Sequence, residues 1–129
     1  MGHSSYHKLP RELTHEEEQI LQRLLTAVEF PGRPTLLEQA ARARVSGECT
    51  CGCRSIELRV PDSVRKAEVK RRIPVEAEAE DQDHRTMHCL LHVVDGWIAE
   101  LEIYRDDSKA IGRLPAPERL CVMSLDEDV

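Results

Sequence analysis

Three cysteines crowd one short stretch, Cys49-Thr50-Cys51-Gly52-Cys53. At alternate positions of an extended strand their side chains point the same way. Thiolates so placed can bind a soft ion such as Zn²⁺ or Cu(I), and Gly52 lets the backbone bend around it. The spacing departs from that of structural zinc sites, which use Cys-x₂₋₄-Cys pairs with a second pair elsewhere. Here the other cysteines, Cys89 and Cys121, stand alone. The stretch therefore reads first as reduced cysteines acting as small core residues. The alternative is a metal-thiolate or redox protein using Cys49, Cys51 and Cys53, with zinc as the cofactor.

A second group comprises His88, His92, Glu100 and Glu102, in two apolar-rich segments separated by Asp95-Gly96. His88 and His92 are four apart on an expected strand, on one face but two pleats from each other. With Glu100 and Glu102 across a hairpin they loosely resemble a His/carboxylate cluster. Glu76 and Glu78, from a third strand, could gather on the same side. Like charges placed opposite one another destabilise a sheet, so these six residues are the candidate binding residues for a basic partner or for cations. The bland alternative is a partly solvated sheet surface. No nucleophile stands in a recognisable setting, and there is no Gly-rich phosphate loop and no His-Glu-x-x-His. The expected function is a non-catalytic binding or inhibitory module for another macromolecule, with no cofactor.

The elements that must position these residues follow from periodicity. Thr14-His15-Glu16-Glu17 matches a capping box, and Ile20, Leu21, Leu24, Leu25 and Val28 form an apolar stripe at helical spacing. This predicts a first helix ending near Glu29, before Pro31-Gly32. Thr35-Leu36-Leu37-Glu38 matches a second capping box and predicts a helix from Thr35 to about Arg44. From Val45 the period becomes two, which predicts strands around Val45–Cys49 and Ile56–Val60. Ser63 to Arg72 is a basic connection, read as a solvated linker. Ile73 to Glu80 alternates strictly, with Glu76, Glu78 and Glu80 outward. Ala110-Ile111-Gly112 is expected as a last short strand, and Pro115 and Pro117 are expected to preclude regular structure beyond it.

The centre of the chain is the hairpin Thr86 to Arg105 about the Asp95-Gly96 turn. A two-residue loop pairs Val94 with Trp97 and mixes apolar and polar residues on both faces. A three-residue loop, Val94-Asp95-Gly96 with Gly96 left-handed, pairs Val93 with Trp97. It gathers Met87, Cys89, Leu91, Val93, Trp97, Ala99, Leu101 and Ile103 on one face. The apolar pattern favours this second register. His88 is then opposite Glu102, Leu90 opposite Glu100, and His92 opposite Ile98.

Length and composition limit the function classes. A chain of 129 residues suits one domain and can bury roughly two-thirds of its unfolded surface. The net charge of −6 and the 3% aromatic content argue against a general nucleic-acid binder, which needs a basic face and stacking rings. No segment approaches the ~20 apolar residues of a membrane span, and the N-terminus lacks a signal peptide's apolar core. No membrane and no nucleic acid are expected among the partners; a protein partner is. The expected location is cytoplasmic, where five cysteines serve as thiols, ligands or redox centres rather than structural disulfides.

The segment Leu90 to Asp106, with Cys51-Gly52-Cys53-Arg54-Ser55-Ile56 and Ile111-Gly112-Arg113-Leu114-Pro115, resembles small uncharacterised bacterial proteins. These share a helical N-terminus and a hairpin of the form Asp-Gly-x-x-x-Glu-Leu-Glu-Ile-Tyr-Arg. Somewhat similar hairpins occur in small immunity proteins that neutralise toxins. The resemblance covers the C-terminal two-thirds and implies a fold, with no catalytic residues to carry over. The expectation is a single α+β domain over 1–129, flexible at 1–13 and 124–129. Two N-terminal helices pack on one antiparallel sheet of about four to six strands.

Overall fold

The computed structural model describes residues 8–50 and 52–125. Two helices, α1 (His15–Thr26) and α2 (Arg33–Ala40), precede six strands: β1 (Arg44–Glu48), β2 (Ile56–Arg59), β3 (Val75–Glu80), β4 (Thr86–Val94), β5 (Trp97–Arg105) and β6 (Cys121–Ser124). The strands form one antiparallel sheet in the order β1-β2-β5-β4-β3-β6. This is the expected α+β arrangement, with the strand number at the top of the expected range. α1 lies against β3 and α2 against β5. Ile20, Leu21, Leu24, Leu25 and Leu36 from the helices close a core with Val75, Ala77, Cys89, Leu91, Leu101 and Ile103 from the sheet.

The first helix starts as its residues dictate. The Thr14 hydroxyl accepts from the Glu17 amide and the Glu17 carboxylate accepts from the Thr14 amide. Glu17 also binds Arg11, whose Nη1 and Nη2 donate to its two oxygens at 2.9 and 3.0 Å. Arg11 reaches Glu48 of β1 at 2.8 Å as well. Burial alone would push the Glu17 carboxyl up; the Arg11 and Thr14 hydrogen bonds outweigh it and leave it below its ordinary value. Of the stretch 1–13 expected to be flexible, residues 1–7 lie outside the described residues, and Arg11 exchanges two backbone hydrogen bonds with Val45.

The second helix departs from expectation. It begins at Arg33, capped by Gly32 at φ 88 with no side-chain cap bond, and Pro34 lies in its first turn. Thr35 is therefore inside the helix and makes no capping box. The Pro31-Gly32 turn and the helix-compatible φ of Pro34 start the helix early. Gly32 is needed for space too: a Cβ there would come within 2.7 Å of the Glu68 carbonyl oxygen.

The central hairpin also corrects the expected register. Asp95 and Gly96 have φ of 53 and 87, a two-residue turn of the kind that matches strand twist. Val94 pairs with Trp97 and Val93 with Ile98, and the next pair is His92 with Glu100. Ala99 is the extra residue of a bulge. A bulge reverses the in–out alternation once, so Ile98 and Leu101 both point into the core, 2% and 0% exposed. Trp97 and Ala99, expected inside, are only half-buried, and Ile98, expected outside, is core. Gly96 is left-handed as expected.

The C-terminal part also departs from expectation. Ala110-Ile111-Gly112 forms no strand; Ile111 is buried and its amide donates to the Gly52 carbonyl at 3.1 Å. Past the prolines a 3₁₀ turn, Pro117–Arg119, leads into β6, which pairs with β3. β3 is therefore interior, and Pro74 sits just outside it, where its missing N–H costs no ladder bond. Its carbonyl accepts from the Leu125 amide at 2.7 Å. Residues 126–129 of the expected flexible tail lie outside the described residues. Among the described residues no helix is long and apolar enough to cross a membrane.

Candidate functional site

Both helices cover the same face of the sheet, the one carrying Met87, Cys89, Leu91 and Val93. Cross-strand partners share a face, so pairing identifies what lies on the other. Glu57 pairs with Glu100, and Glu100 with His92. Glu102 pairs with Leu90, Leu90 with Glu76, and Glu76 with Met123. Tyr104 pairs with His88, His88 with Glu78, and Glu78 with Cys121. All six residues expected to bind, His88, His92, Glu100, Glu102, Glu76 and Glu78, therefore share this open face. The sequence reading missed Glu57, Tyr104 and Met123. The alternation of β2 could have placed Glu57, and nothing in the local sequence announced β6.

The two histidines are held differently from the expected pairing. His88 lies opposite Tyr104, not Glu102, and stacks on its ring with centroids 4.9 Å apart and planes 20° from parallel. Its Nδ1 is 3.9 Å from Glu78. His92 Nε2 lies 2.7 Å from Glu102 Oε1, diagonally across the hairpin. Arg72 Nε donates to His92 Nδ1 at 3.2 Å. With Nδ1 accepting, the proton of neutral His92 sits on Nε2 and is donated to Glu102. Arg72 is placed by its own backbone, whose carbonyl accepts from the Val93 amide at 2.7 Å. The basic connection expected as a solvated linker thus contributes one of its arginines to the site.

The electrostatics of the face are acidic. Burial, and after it the charges of Glu102, Glu76 and Glu78, push the Tyr104 hydroxyl above its ordinary value. Five glutamates face His88, His92 and Arg72 on this surface. Leu90 and Val94 lie among them half-buried, and Met123 is 40% exposed. Such a surface can attract a cationic partner and then bury apolar side chains against it. Both ring nitrogens of His92 are engaged, one by Arg72 and the other by Glu102.

The cysteine stretch lies in the chain between β1 and β2. Cys49 is exposed and Cys53 half-buried, while Cys51 lies outside the described residues. Gly52 is left-handed at φ 101 and its added Cβ would sit 3.0 Å from the Ala110 side chain. Ser55 ties this connection to β5: its hydroxyl accepts from the Ile103 amide at 2.9 Å and donates to the Ile103 carbonyl at 3.3 Å. Among the described residues no group of three or more His, Cys, Asp or Glu is placed to hold a metal. Cys89 is fully buried in the core, and burial pushes its thiol up to about 12.

A third cluster gathers where the β3–β4 turn meets the end of β5. Arg105, 7% exposed, is clasped by three aspartates. Its Nε and Nη2 donate to Asp107 at 3.0 and 2.6 Å, its Nη1 to Asp81 at 3.0 Å and to Asp83 at 3.2 Å, and its Nη2 to Asp83 at 2.9 Å. These bonds hold Asp107 and Asp83 below the usual carboxylate range. All five N–H directions of a guanidinium point at oxygen only in such a cage, so the cluster fastens the β3–β4 turn to the end of β5.

No curated protein and no solved structure matches the chain. The family model described as a domain of unknown function, DUF6984, matches residues 10–115, which takes in both helices, the first five strands and every residue of the acidic face except those of β6. The chain belongs to that family.

Proposed function

We propose that the protein is a non-catalytic binding module of the cytoplasm that uses the open sheet face to hold, and by holding inhibit, a basic protein partner. The observation that carries this reading is the convergence of Glu57, Glu76, Glu78, Glu100 and Glu102 on a face that neither helix covers. Unbalanced carboxylates on neighbouring strands repel one another, and a lysine- or arginine-rich surface relieves that repulsion while covering Leu90, Val94 and Met123. The sequence resemblance to hairpins of toxin-neutralising immunity proteins supports an inhibitory role. Charge complementarity of this kind accelerates encounter and is weakened by salt.

The test compares capture by the wild-type chain and by a Glu100→Lys/Glu102→Lys variant from the same lysate. Support consists of basic proteins retained by the wild type at low salt, released by about 0.5 M salt, where the screening length is only a few ångströms, and lost by the folded variant. An identical captured set for both chains would show that the face is not the binding surface.

A further inference from the structure

At the sheet edge where β1 begins and β2 ends, a groove of about 450 Å³ is lined by Arg42, Arg44 and Arg59. Arg44 and Arg59 are direct cross-strand partners. Like charges in that relation destabilise a sheet edge unless something lies between them. The Arg44 guanidinium is oriented by one bond, Nη2 to the Pro10 carbonyl at 3.3 Å. Among the described residues neither Arg42 nor Arg59 has a side-chain hydrogen bond or ion pair. Glu57, the acid of β2, makes no ion pair with them: its carboxylate lies across Gly47, 2.7 Å from where a Cβ would be. Asp62 is the single acid among the lining residues, so three cations face one anion. Val60 and Pro61 supply an apolar wall.

We propose that this groove is an oxyanion site that takes the phosphate or carboxylate group of a small ligand. Arg44 and Arg59, at directly paired positions, each offer paired N–H donors of a kind that matches either group bidentately. The apolar wall suits the remainder of a compact organic ligand. Binding relieves the repulsion between Arg44 and Arg59, which among the described residues is met by no ion pair. Arg59 lies two residues beyond Glu57 on β2, so the groove is at the outer corner of the same open face; its residues differ from those of the partner-binding patch, and the two are tested by different substitutions.

The experiment titrates the full chain with pyrophosphate and, separately, with tricarballylate, at a constant ionic strength of about 0.15 M. The arginine side-chain N–H signals are followed by NMR. Saturable shifts of Arg42, Arg44 and Arg59 are expected with at least one probe. Tighter binding of pyrophosphate points to a phosphorylated ligand; tighter binding of tricarballylate points to a polycarboxylate. Arg42→Gln/Arg59→Gln should weaken binding at least about tenfold, as expected for lost charge-assisted contacts. Arg71→Gln/Arg113→Gln, which removes the same charge elsewhere, should leave it unchanged. The proposal is overturned if neither probe saturates below about 10 mM, an affinity near 3 kcal/mol, or if the two double variants weaken binding equally.

Discussion

Gln39 holds the turn of the central hairpin through Gly96. Its Nε2 donates to the Gly96 carbonyl at 2.8 Å and, with its other hydrogen, to the Arg65 carbonyl at 2.8 Å. Its Oε1 accepts from the Ile98 amide at 2.9 Å. The side chain is fully buried, so one amide joins α2, the connection after β2 and the hairpin with no water as substitute. Gly96 must be glycine here, because a Cβ would lie 2.5 Å from the Ala67 carbonyl oxygen. Gln39→Leu keeps the volume but strands the Arg65 carbonyl and the Ile98 amide. It should cost about 1–3 kcal/mol, chiefly for the buried Ile98 amide left unsatisfied. Denaturant unfolding measures this, and a loss under about 1 kcal/mol would mean that water or a neighbour replaces the amide.

The bulge at Ala99 predicts an unequal response from adjacent residues. Ile98→Ala should cost about 2–5 kcal/mol, as for a core side chain. Ala99→Ser should cost less than about 1 kcal/mol, as for a surface substitution. Equal losses in thermal or denaturant unfolding would restore the unbulged register.

Arg105 and its aspartates predict a definite acid dependence. The folded values of Asp83 and Asp107 are depressed by Arg105. A depressed carboxylate stabilises the fold fully above its unfolded value, about 3.9, and this contribution is lost as pH falls through the folded value. The clasp should therefore hold at neutral pH and fail only below about pH 4. The Asp107 carboxyl followed by NMR should titrate below the ordinary aspartate range and move upward in Arg105→Gln. An ordinary midpoint in the wild type would dissolve the cage.

Cys89 and Cys121 should differ sharply toward a thiol reagent at pH 8. Cys121 is exposed on β6, whereas Cys89 is fully buried with its thiol pushed up to about 12. Only the thiolate reacts, so Cys121 should label at once and Cys89 only as the chain opens. Mass spectrometry of the labelled peptides distinguishes them, and rapid native labelling of Cys89 would contradict its place in the core.

Where a feature depends on a few neighbours in sequence, the residues were enough. Thr14 and Glu17 lie within one turn, and their capping box forms. The alternation of Glu76 and Glu78, and of His88 and His92, set the outward face of β3 and β4. Asp95-Gly96 marked the hairpin, and Gly96 is left-handed.

What failed needed information from distant parts of the chain. The bulge at Ala99 is chosen because Ile98 fits the core and its amide meets Gln39, a residue on another element. The strand at Cys121–Ser124 exists because β3 offers a free edge, and four residues carry no pattern of their own. Arg72 meets His92, Arg105 meets Asp81 and Asp83, and Arg44 meets Arg59, all across separations that periodicity cannot span. Sequence sets local backbone preference and which side of an element is apolar, because those depend on short-range sterics and burial. Which charges face one another depends on strand order and register, and these are settled only when the whole sheet closes on its helices.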